Sequence, residues 1–207
     1  QAARRCPPPP SITVFPEKLM TLLAPLVAAE TLGGLADIPW GSVERMPERV
    51  LAPIYLDLRA EALSWGPKEI KAPTVVDGGE VLGVVMDIGY DVAVITVVGL
   101  ADGTTSIYAS PGAAKIGMGG SEAVARMSRR WVALAEDANV VDTPSGDLPD
   151  EGIVQFTLLT IGVARSSSAT EADLQTGASP LSALYAAGQD VIAAVRAVDE
   201  AGAAPNL

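Results

Sequence analysis

The 207-residue chain is 49% hydrophobic but only 4% aromatic, and 14 Lys and Arg against 25 Asp and Glu give it a net charge of −11. The apolar share supports a packed core, while the negative field and the scarcity of aromatic rings argue against nucleic acid and anionic membranes as partners. Histidine is absent and Cys6 is the only cysteine, which excludes histidine-dependent catalysis, an internal disulfide and a thiolate zinc site within one chain; no metal or cofactor is expected.

Residues 1–52 read as a Pro-rich arm. Pro7 to Pro10 favour polyproline II, and no secretory apolar core would carry four prolines after Arg4-Arg5-Cys6. Pro16 opens a short helix whose Leu19, Leu22, Leu23 and Leu26 lie on one stripe, an expected interaction surface. Thr21 and Pro25 interrupt this most apolar stretch, so it does not span a bilayer and no membrane insertion is expected. Nothing demands an oxidising compartment, and a cytoplasmic location follows as the expectation.

An α+β domain is expected over residues 53–200, with a loose tail at 201–207. Pro53 suits the first position of a helix running to about residue 65, stopped by Gly66-Pro67. After a loop with the turn Asp77-Gly78-Gly79, the period changes to that of strands at 81–88, 92–100 and 104–109. The middle one is almost continuously apolar and so buried on both faces, and Asp102-Gly103 marks a hairpin. Ser121 is the expected N-cap of a helix to about residue 138, with Val124, Met127, Trp131, Leu134 and Ala138 on its apolar face. Strands at 153–160 and 163–168 follow. The last helix starts at Ser179-Pro180 and carries the stripe Leu181, Leu184, Tyr185, Gly188, Val191, Ile192, Val195 and Val198. Gly188 on that stripe implies close approach to the sheet. The order gives a mainly antiparallel sheet of about five strands with helices on one face. By element order alone it is analogous to profilin-like and roadblock-like modules.

Three segments carry a resemblance: Leu56-Asp57-Leu58-Arg59, then Gly83-Val84-Val85-Met86-Asp87-Ile88-Gly89-Tyr90, then Leu100-Ala101-Asp102-Gly103-Thr104-Thr105-Ser106-Ile107-Tyr108. They resemble a group of uncharacterised bacterial proteins over about residues 54–200. The resemblance implies a domain boundary and a bacterial source, and no activity. In that group the loop after the third strand is richer in glycine; here Pro111, Ala113 and Ala114 interrupt it, which weakens a ligand role.

The segment Lys115-Ile116-Gly117-Met118-Gly119-Gly120-Ser121 is the candidate ligand site, because glycines and a helix N-terminus can present N–H groups to an anion. It lacks both the Walker pattern and a βαβ setting, so the simpler reading is a helix start. Asp87, Asp91 and Asp102 are candidate carboxylates, though turns use the same residues. Glu171 and Asp173 read as surface or capping residues, and Arg126, Arg129 and Arg130 as a solvated helix face. The favoured function is a non-enzymatic assembly or scaffold subunit that binds a protein partner or itself. The alternatives are a small-molecule or nucleotide-sensing module using the 110–121 loop, and a histidine-independent enzyme.

Overall fold

A computed structural model describes residues 49–70, 80–138, 140 and 146–203. The expected arm, with Leu19, Leu22, Leu23, Leu26 and Cys6, lies outside the described residues, as does the turn at Asp77-Gly78-Gly79.

The fold is α+β. Among the described residues an antiparallel sheet comprises β1 (Val81–Gly89), β2 (Val94–Leu100), β3 (Thr105–Ala109), β4 (Ala114–Lys115), β5 (Ile153–Thr160) and β6 (Arg165–Thr170), in the order β4-β3-β2-β1-β5-β6. β1 and β2 are central and buried along their whole length, which is why they are written almost entirely in aliphatic residues. The β2–β3 turn forms where Asp102-Gly103 stands: the Asp102 carboxylate accepts from the Thr104 N–H at 2.7 Å, and Gly103 takes φ 94°.

Helices cover both faces of the sheet, and not one as the element order suggested. One face carries α2 (Glu122–Ala135), α3 (Glu171–Thr176) and α4 (Ser182–Ala203), while α1 (Pro53–Ser64) lies on the other. The reason lies in the two-residue period of the strands. Val84, Met86, Ile88, Ile95, Val97 and Phe156 point to the α2/α4 side, while Val85, Val94 and Val98 point to the α1 side. A single helical layer would leave the second set in water, at roughly 1.5–3 kcal/mol per large side chain.

Other boundaries also differ from expectation. The sheet gains β4, too short for a periodic signal, and β6 begins at Arg165 because residues 161–164 turn: Thr160 Oγ1 donates to the Val163 carbonyl at 2.9 Å. A separate short helix, α3, precedes α4 and ends at Gly177 in the left-handed conformation. α4 starts at Ser182 and continues through Ala203, into the expected tail. On α2 the buried face is Val124, Ser128, Trp131, Val132 and Ala135; Leu134 is exposed.

Two close approaches position the layers. A Cβ on Gly188 would lie 2.8 Å from Met86 Cε and 3.0 Å from Trp131 Cζ2, so glycine lets α4 sit against both the sheet and α2. Trp131 Nε1 donates to the Leu184 carbonyl at 2.9 Å, tying α2 to the start of α4. Residues before the expected boundary at 53 are already bonded to this body: Arg49 donates to the carbonyls of Pro149 and Tyr90, and the Ala52 N–H to that of Ser110.

Candidate functional site

The candidate ligand loop links β3 to α2 and packs as structure. Lys115 lies on β4 opposite Ile107, and its Nζ meets Asp199 Oδ1 of α4 at 2.5 Å. Gly117 takes φ 72° ahead of a 3₁₀ turn at Met118–Gly120. A Cβ on Gly119 would lie 2.7 Å from the Gly103 carbonyl oxygen, so this glycine allows the loop to rest on the β2–β3 turn. Gly120 has open space beside it. Ser121 holds the N-cap position of α2, but its side chain makes no capping bond; only its carbonyl takes part, accepting from Ala125. Lys115 is therefore ion-paired, and Glu122 adds a negative charge to the first turn of α2. Both oppose a bound anion.

The three candidate carboxylates are not brought together. Asp91 accepts from the Val92 N–H at 2.9 Å in the turn before β2, and Asp102 serves the turn after β2, at the other end of that strand. Asp87 sits mid-strand in β1, between Thr96 and Gln155. Among the described residues no group of three or more Asp, Glu, His or Cys is placed to hold a metal ion. Asp173 caps α3 with Thr170, and Glu171 accepts from the Tyr185 hydroxyl at 2.7 Å. Arg129 pairs with Glu122 on the α2 surface, while Arg126 and Arg130 are exposed.

Beneath α1 the structure assembles a polar cluster that the sequence reading did not join. Arg59 Nε donates to both Asp87 oxygens at 3.2 and 3.1 Å, and Nη2 donates to Oδ2 at 2.8 Å. The guanidinium also donates to the carbonyls of Gly146 and Asp147. Thr96 Oγ1 donates to Asp87 Oδ1 at 2.5 Å and shares a 2.9 Å hydrogen bond with the Tyr55 hydroxyl. Burial lowers the Arg59 pKa, but the hydrogen bond and charge of Asp87 outweigh it, and the net shift is upward. Burial, with the Asp87 charge, pushes the Tyr55 phenol up to about 12. The available signal was Asp87 itself: a lone charge inside an apolar strand requires a buried partner, and the residue four after Tyr55 on the inward stripe of α1 is Arg59. Asp87 is fully buried and its acceptors are engaged, so the cluster fastens α1 to the sheet and is closed to substrate.

The start of α1 presents the opposite character. Val50, Leu51 and Ile54 remain 53%, 41% and 53% exposed within five residues of chain. Ile54 Cγ2 and the Ala52 Cβ border Gly112 of the loop after β3, so this apolar surface continues from α1 to the sheet. Tyr55, Arg59 and Ala62 use the inward face of α1, which leaves Ile54 on its flank.

No protein-family model, curated protein or solved structure matches the chain. The resemblance read from 56–59, 83–90 and 100–108 thus rests on those residues alone. No helix among the described residues is long and apolar enough to cross a membrane.

Proposed function

We propose that this protein is a non-enzymatic assembly or scaffold subunit that binds another protein chain or a second copy of itself. The observation that supports this reading best is the apolar surface of Val50, Leu51 and Ile54, left uncovered beside a well-buried core. The groups with chemical potential support it in a second way. Arg59 and Asp87 satisfy each other out of reach of solvent, and Lys115 is paired with Asp199. The small-molecule or nucleotide-sensing alternative at Lys115, Gly117, Gly119, Gly120 and Ser121 is the weaker reading, because that loop's one cation is neutralised within the chain.

The test uses the full chain with Leu51→Asp and Ile54→Asp introduced together. Light scattering after size exclusion, and affinity capture from the native source with partners identified by mass spectrometry, are compared with wild type. The expected result is an assembled or partner-bound wild type and a variant that loses the contact while melting at nearly the same temperature. A wild-type chain that is monomeric and captures nothing in both measurements overturns the reading.

A further inference from the structure

The apolar surface at the start of α1 faces the β4 edge of the sheet. Tyr55, Arg59 and Ala62 turn inward, and the flank of α1 that carries Ile54 borders Gly112 in the turn between β3 and β4. Lys115 of β4 turns to the opposite face of the sheet, where it meets Asp199. By alternation Ala114 belongs to the α1 face, with its partner Tyr108. Ile116 comes next in that alternation, and the neighbouring Gly117 N–H donates to Ser106 Oγ at 3.4 Å. Ile116 is 61% exposed. Val50, Leu51, Ile54 and Ile116 thus flank one strip between α1 and the β4 edge, and all four are left exposed among the described residues.

Where the chain enters the domain decides what reaches this strip. Arg49, the first described residue, is fixed by donating to the carbonyls of Pro149 and Tyr90, each at 2.8 Å. Val50 and Leu51 follow it directly, so residues 1–48 join the domain at the rim of the exposed surface. Those residues carry Leu19, Leu22, Leu23 and Leu26, spaced i, i+3, i+4 and i+7. Between Leu26 and Arg49 stand 22 residues. A coil of that length averages about 25 Å end to end and extends to about 75 Å at most, ample for a strip that begins beside Arg49. Such a tether holds its segment at an effective concentration of order millimolar, so a second copy at micromolar concentration competes at a disadvantage of roughly a thousandfold.

We infer that Leu19, Leu22, Leu23 and Leu26 dock within the same chain on Val50, Leu51, Ile54 and Ile116. Both sides of the contact are aliphatic, so burial of apolar surface drives it. A partner that uses this surface must displace the arm, and the arm thereby sets how tightly the chain assembles; this second step rests on the assembly reading above. The apparent dissociation constant is the intrinsic one divided by the fraction of chains whose surface is free, so an arm docked in about nine chains of ten weakens assembly about tenfold.

The test compares the full wild-type chain with the full chain carrying Leu22→Asp and Leu23→Asp. Hydroxyl-radical footprinting at about 1 μM, read by mass spectrometry, measures access to Leu51, Ile54 and Ile116 where second copies are scarce. These side chains should oxidise several-fold faster in the variant, while Trp131, fully buried in the core, keeps its rate and reports that the fold is intact. Equal rates in the two chains overturn the inference. So does wild-type protection that survives the substitutions, which assigns the cover to another segment. Protection that appears only towards about 100 μM overturns it as well, by assigning the cover to a second copy. Light scattering and affinity capture read the second step: the variant should bind about tenfold more tightly than wild type. A variant that binds more weakly overturns the arm as a competitor and makes it the connector between chains. The assembly reading fails separately: if neither chain associates or captures a partner while the footprint shows a docked arm, that reading falls and the contact within the chain stands.

Discussion

Arg59 Nη2 donates to Asp87 Oδ2 at 2.8 Å, joining the inward stripe of α1 to the middle of the central strand β1. Both side chains are almost wholly removed from water. Removing one partner strands the other as an uncompensated charge, whereas removing both leaves a site that apolar side chains can fill. Asp87→Ala should therefore cost about 3–5 kcal/mol, while Arg59→Met with Asp87→Leu should cost much less or nothing. Chemical denaturation of the two variants checks this. Equal losses would show that the pair is not acting as a buried charge unit.

Tyr55 makes the same region sensitive to alkali. Its phenol titrates near 10 in the unfolded chain and at about 12 in the folded protein. The folded state thus holds its proton more tightly. The stabilisation is complete below the unfolded pKa and is lost as pH rises through the folded one. Unfolding free energy should fall between pH 10 and 12, and Tyr55→Phe should flatten that slope. Burial also raises the phenols of Tyr90, Tyr108 and Tyr185, so some slope should survive in the variant.

Two hydroxyls at helix starts should behave differently. Thr170 Oγ1 accepts from the Asp173 N–H at 3.1 Å and donates to the Asp173 carboxylate. Ser121 occupies the same position on α2 with no capping bond from its side chain. Thr170→Ala should cost about 1 kcal/mol and Ser121→Ala a few tenths at most. Thermal melts of the pair decide it; a larger loss at Ser121 would place its hydroxyl in a contact the structure does not contain.

Gly188 is where α4, Met86 and Trp131 crowd together. Gly188→Val should cost about 1–3 kcal/mol through overpacking, even though valine adds apolar surface. A neutral outcome in denaturant titration would mean that α4 shifts freely over the sheet.

Period and punctuation alone made much of this protein legible. The apolar runs of β1 and β2, the Asp102-Gly103 hairpin, the Pro53 helix start and the close approach at Gly188 are all local signals, set by residues within a turn or two of one another. The candidate loop was legible as a segment, but its state was not, because Lys115 is neutralised by Asp199, far along the chain on α4. The same distance hid the pairing of Arg59 with Asp87. The placement of α1 on the second face of the sheet was decided by tertiary structure. Strand order determines which edge is open and which face needs cover, and a linear sequence fixes the alternation along a strand without fixing what lies beside it.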